Sequence, residues 1–185
     1  MKTALLIIDV QRGLFDRAPR PLEAAQVIAR INGLAAAARD MCSPVVFIQH
    51  ERQDSPLEHG SENWHLAEGL IVEAGDLFVR KTTPDSFLRT DLQELLMAND
   101  IKHLVVAGYA CEFCVDTTTR RAAALGYDVT LASDAHTTHD KPHALASEIQ
   151  AHENATLPSL TSFGTSISAV PSALVRFAAH ETPSM

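Results

Sequence analysis

The sequence lacks a basic surplus: 15 Lys and Arg against 23 Asp and Glu leave a formal net charge of -8. A nucleic acid or an anionic membrane surface would favour a basic face, so a small molecule is the expected partner. No run approaches the roughly 20 apolar residues of a membrane span. The first apolar stretch, residues 4–8, ends in Asp9 rather than in a signal-peptide cleavage pattern. Cysteine is scarce. Three residues, an odd number, make no disulfide framework and fit reduced thiols in a cytoplasmic protein. Internal repeats and low-complexity tracts are missing too. The turn from Asp9 to Gly13 lacks the glycine fingerprint that lets a pyrophosphate approach a strand end, which argues against a dinucleotide-binding module.

What is present suffices for one domain with a real core: 185 residues, 46% of them hydrophobic. One domain covering residues 1–185 is the expectation. Residues 4–8 are apolar without alternation, as in a strand buried on both faces of a parallel sheet. Val27, Ile31, Leu34 and Ala38 recur at helical spacing and predict an amphipathic helix over 22–40. Further strands are predicted at 44–48, at 76–80 ending at Lys81, at 103–108, at 127–132, and at 165–170. Helices are predicted after Thr90 as a cap, after the turn at 109–114, around 144–157, and from about Pro171. The polar stretch 50–69, broken by Pro56 and Gly60, reads as a long functional loop. Strands alternating with helices predict βαβ units, hence a parallel sheet covered on both faces.

The chemistry concentrates where the fourth strand breaks at Gly108 and a helix begins. Cys111 and Cys114 fall at that junction, where free N–H groups and the helix dipole favour a thiolate. Ligands of such sheets bind beyond the carboxyl ends of the strands. Asp9, Lys81 and Cys114 all map to that edge. A carboxylate can accept the thiol proton, an ammonium can stabilise the resulting charges, and turn N–H groups can hold an oxyanion.

Asp9-Val10-Gln11, then Lys81 with Asp85-Ser86-Phe87 and Thr90-Asp91-Leu92, then Gly108 through Cys114-Val115 with Gly126-Tyr127 resemble the isochorismatase-like cysteine hydrolases. His152-Glu153-Asn154 is similar to the tail of their streptothricin hydrolase-like, small amidase branch. The resemblance implies a Rossmann-like three-layer α/β/α sandwich with a six-stranded, mostly parallel sheet. It implies a catalytic triad of Asp9, Lys81 and Cys114 that cleaves an amide, lactam or imide through a thioester, with no cofactor. It also implies a cis peptide at Tyr109-Ala110, an oxyanion hole from the amides of Ala110 and Cys114, and a homo-oligomer, dimeric or larger. The family often has threonine where this chain has Cys111. The nicotinamidase branch carries an Asp-x-His metal site after the second strand; here that region reads Gln49-His50-Glu51-Arg52, so no metal is expected.

Four further residues are candidates for substrate contact: Gln11 for an amide, His50 at the strand edge, Trp64 in the long loop, and Tyr109 before the turn. Two other activities compete, thiol–disulfide exchange through Cys111 and Cys114 and hydrolysis of the vinyl ether isochorismate. A ligand-binding protein without turnover is a third alternative. Zinc at the two cysteines would need two more ligands. A metal at His136, His139 and His143 competes with a solvated loop around Pro142 and Asp140.

Overall fold

The computed structural model describes residues 1–178. Its sheet contains β1 (Thr3–Ile8), β2 (Val45–His50), β3 (Leu77–Lys81), β4 (His103–Tyr109), β5 (Asp128–Thr137) and β6 (Ile167–Val170). All pairings are parallel, in the order β3-β2-β1-β4-β5-β6. This is the expected three-layer α/β architecture. The chain starts in the middle, winds outward one way through β2 and β3, then crosses back to β4 beside β1. The order reverses between β1 and β4, where doubly wound sheets open a crevice.

Burial on both faces explains the unbroken apolar strands. Leu5 and Ile7 of β1 face α2 (Ala24–Asp40, after the single-turn α1 at Arg12–Phe15), whose Val27, Ile31, Leu34 and Ala38 are buried. Ala4, Leu6 and Ile8 face the other way, onto Leu92 and Leu96 of α3 (Leu92–Ala98) and Ala122 and Ala123 of α4 (Asp116–Ala124). A helix α5 (Ala146–Thr156) completes that layer next to the turn after β4. The N-cap of α3 is Asp91 rather than the expected Thr90, which sits one residue earlier, its hydroxyl accepting the Leu92 N–H at 3.3 Å.

Two elements differ from the sequence expectation by more than two residues. β5 continues five residues beyond Ala132, because the β4–β5 register shifts between Val106 and Gly108 and pairing resumes at Gly108 with His136. The polar residues of this extension carry side-chain partners that periodicity does not reveal. Instead of a helix from Pro171, Ser172–Leu174 form one 3-10 turn, pinned by Asp134 to the Ser172 N–H at 2.7 Å. Val175 and Phe177 then bury alternate side chains against α2, a period-two pattern that suits extended chain. The rest of that expectation lies outside the described residues.

Gly108 allows β4 to pass close to β1. Its φ is +123°, and a Cβ there would collide with the backbone of Ile8. Gly108→Ala is therefore expected to cost on the order of 3 kcal/mol or more, from left-handed strain plus displacement of β1, measured by chemical denaturation.

Candidate active site

Strand register brings the polar residues together. His50 and Lys81 are paired across β2 and β3, and Ile8 pairs both with Ile48 and with Gly108. The residues that follow, Asp9 and the turn after Tyr109, therefore meet at one edge. Asp9 holds φ at +53° and is only 2% exposed. The Tyr109-Ala110 peptide is cis, as the resemblance implies. After it, Cys111–Val115 form one π-helical turn, its Val115 N–H reaching the Ala110 carbonyl at 3.1 Å.

Lys81 is the hub. Its buried Nζ donates to Asp9 Oδ2 at 2.7 Å, to the Thr83 carbonyl at 3.1 Å and to Cys114 Sγ at 3.2 Å. An ammonium has three N–H groups, and these three acceptors satisfy it. Burial pulls the ammonium toward its neutral form, but Asp9 and Cys114 more than reverse this, and the Lys81 pKa is raised. His50 Nδ1 lies 3.4 Å from the same nitrogen. Burial and the Lys81 charge lower the His50 pKa, which keeps the imidazole neutral.

The thiol behaves differently from the sequence expectation. Cys114 is pushed up to about 12, by burial first and by the Asp9 charge next, with Lys81 opposing. The helix-start argument fails here because α4 begins only at Asp116, leaving Cys114 in the π turn before it. Cys114 is thus a protonated thiol beside a carboxylate whose second oxygen, Oδ1, is buried without a hydrogen-bond partner.

A cleft of about 230 Å³ opens onto these groups, lined by Asp9, His50, Tyr109, Ala110 and Cys114 together with Leu14, Leu57, Pro84 and Phe113. His50 and Tyr109 are placed where substrate contact was expected. Gln11 and Trp64 are not among the lining residues. Gln11 is fully buried, its amide clamping the His50 N–H and carbonyl and the Trp64 carbonyl. The Trp64 ring packs on His59 and His65 within the long loop. Both therefore build the wall behind the site. Sequence reasoning missed Leu14, Leu57, Pro84 and Phe113. Only Leu57 carried a signal, its place in the 50–69 loop. A larger cleft of about 430 Å³ beside Glu112 and Glu153 is lined, among the described residues, by no cysteine, serine or threonine.

Cys111 faces away from the cleft and is fully buried. Its Sγ lies 3.0 Å from His136 Nδ1, and His136 Nε2 lies 3.0 Å from Asn154 Oδ1. Thiol–disulfide exchange needs the two sulfurs of the pair to reach each other, and here Cys111 Sγ is turned to His136 while Cys114 Sγ meets Lys81, which argues against it. The three histidines considered for a metal separate as well. His136 joins Cys111, His139 bridges the Tyr109 hydroxyl and the Pro19 carbonyl, and His143 is exposed. Among the described residues no group of three or more His, Cys, Asp or Glu is arranged to hold a metal ion.

The molecule is a doubly wound α/β protein whose switch-point crevice holds a thiol, a carboxylate and an ammonium in mutual contact. The Isochorismatase domain profile matches residues 3–160, and the chain belongs to the isochorismatase family. It is 41% identical over 147 residues to a streptothricin hydrolase of Streptomyces noursei, covering 76% of this chain and 51% of that protein. The chain thus matches only about half of that relative's length. It is 33% identical to the ureidoacrylate amidohydrolase of Variovorax paradoxus over 75% of this chain and 69% of the relative. A crystal structure of an isochorismatase family protein superposes with a TM-score of 0.82 at 33% identity, covering 91% of this chain and 97% of the other.

Two outcomes are expected from these burials. Lys81→Met leaves Asp9 buried and unpaired, and should cost about 3–5 kcal/mol in urea unfolding. The Asp9→Asn, Lys81→Met double variant should recover much of that loss. His136, buried and lowered from 6.5 to about 4, stays neutral in the fold while the unfolded chain binds a proton below pH 6.5. Stability is then complete above that pH and is lost as the pH falls from 6.5 to 4, by about 3 kcal/mol. His136→Gln should remove that share of the acid sensitivity.

Proposed function

We propose that the protein is a cysteine-dependent hydrolase that cleaves the C–N bond of a small amide, lactam or imide through a thioester, with Asp9, Lys81 and Cys114 as its triad. The observation that carries this reading is the contact of Lys81 Nζ with both Asp9 and Cys114, beside an Asp9 oxygen that has no other partner. Relatives named as a streptothricin hydrolase and a ureidoacrylate amidohydrolase support C–N chemistry.

In this reading the Cys114 proton passes to Asp9 as Sγ attacks the carbonyl carbon, and the C=O π pair moves onto oxygen. The amides of Ala110 and Cys114 receive that oxyanion. Collapse of the intermediate breaks the C–N bond, and Asp9 returns the proton to the leaving nitrogen. Water then attacks the thioester, giving one proton to Asp9. The C–S bond breaks, the acid departs, and Asp9 reprotonates the thiolate. Lys81 stays protonated throughout and balances whichever of the two partners carries charge. His50 and Tyr109 contact substrate in the cleft, and Leu57 and Phe113 contribute its apolar walls.

The cleft also bears on substrate charge. The Lys81 donors are already taken, His50 is neutral, and among the described residues no other basic side chain lines the cleft. An uncharged or cationic amide suits it better than a dicarboxylate such as isochorismate. The proposal includes a cytoplasmic setting, a single domain and homo-oligomeric assembly, which rest on composition and family resemblance; among the described residues no helix is long and apolar enough to cross a membrane.

A panel of small amides and imides, assayed against wild type and variants, tests the reading. Cys114→Ala and Asp9→Asn should each lose at least about 10³-fold in turnover. A Cys114→Ala enzyme that keeps its rate on any substrate of the panel would sink it.

A further inference from the structure

The π turn carries two cysteines, each with its own polar partners. Cys114 faces Lys81 and Asp9 in the cleft. Cys111 begins the same turn and faces His136 on β5, which faces Asn154 on α5. Nucleophile, base and orienting amide in a row have the outline of a catalytic set. Burial decides against that role, since Cys111 and His136 are both fully buried and neither lines the cleft.

The proton positions in this chain follow from its outer end. Asn154 Nδ2 donates to the Ser133 carbonyl at 2.9 Å, which turns Oδ1 toward the imidazole. An amide oxygen only accepts, so His136 Nε2 carries the proton and Nδ1 has the lone pair. The Cys111 S–H therefore donates to Nδ1. Gln150 of α5 holds the His136 carbonyl as well. Burial raises the Cys111 pKa, which keeps the donor protonated. The first residue of the turn is thus tied through a directional chain to the end of β5 and to α5.

Building on the triad reading above, we infer that Cys111, His136 and Asn154 form a positioning network that fixes the turn presenting the Cys114 thiol and the oxyanion amides. Ala110 immediately precedes the anchored residue, and its carbonyl accepts the Phe113 and Val115 N–H groups that close the turn. Rotation of the Ala110–Cys111 peptide unit would break both closing bonds and displace Cys114 relative to the Ala110 amide, which lies in the adjoining Tyr109–Ala110 unit. The network acts through those groups and touches no substrate, so its loss affects the acylation step more than binding or simple thiol access.

Two probes separate these effects: acylation by p-nitrophenyl acetate, which develops an oxyanion, and alkylation by iodoacetamide, which does not. Peptide mass spectrometry assigns each adduct to Cys114. Cys111→Ser and Cys111→Thr keep a donor toward His136 and should retain kcat within about threefold. Cys111→Val removes the donor and should lower kcat about tenfold or more, with KM within twofold and Cys114 alkylation unchanged. Asn154→Ala, which frees the imidazole to turn, should show the same split at a smaller amplitude, and it decides the matter where Cys111→Val does not fold. Full acylation in both Cys111→Val and Asn154→Ala would overturn the inference, as would parallel losses of acylation and alkylation. Wild type that alkylates but never acylates at Cys114, or turnover surviving Cys114→Ala, would instead overturn the triad reading beneath it.

Discussion

The Asp9–Lys81 ion pair is the constraint around which the carboxyl edge is arranged. Two opposite charges taken out of water are tolerable only when each meets its partner and the leftover donors and acceptors are satisfied. Lys81 meets that condition, with three N–H groups and three acceptors. Asp9 does not, because one carboxylate oxygen has no hydrogen-bond partner among the described residues. In the proposed mechanism this oxygen, buried beside the thiol, is the acceptor of its proton. The register of four strands, the left-handed backbone of Asp9 and the close passage at Gly108 all serve to hold this pair beside the turn.

Low polarity around the pair has a second effect. It raises the thiol, because burial and the Asp9 charge outweigh the help from Lys81. A thiolate waiting in the cleft is therefore not the resting state. In the proposed mechanism the nucleophile is made during the reaction, by transfer of its proton to the adjacent carboxylate, and the ammonium stabilises whichever of the two bears the charge. Cys111, three residues earlier, has no opening to the cleft, and among the described residues its side-chain hydrogen-bond partner is a neutral imidazole. Two identical side chains on one turn thus have different surroundings, and in the proposed mechanism they have different roles on that ground.

Much of this was legible in the sequence because it depends on local pattern. Unbroken apolar runs identified the buried parallel strands, and topology then placed Asp9, Lys81 and the Cys114 turn on one edge. What escaped depends on contacts distant in sequence. The extension of β5 through His136 rests on a register shift at Gly108 and on partners such as Asn154. The clamp made by Gln11 joins residues 39 and 53 positions away, so its chemistry suggested a ligand where the fold uses it as a brace. Leu14, Pro84 and Phe113 carry no polar signature, and only the shape of the cleft reveals them. The alternation of Val175 and Phe177 was too short to outweigh the helix expectation after Pro171.

The most direct test is the ionisation of Cys114 in the free protein, followed by the ultraviolet absorbance of thiolate as the difference between wild type and Cys114→Ala across pH. A thiol activated only by transfer to Asp9 gives no thiolate signal near pH 7 and titrates well into the alkaline range. Asp9→Asn should move that titration to lower pH, because the carboxylate charge is one of the causes that raise it. A full thiolate signal at neutral pH, insensitive to Asp9→Asn, would contradict the account.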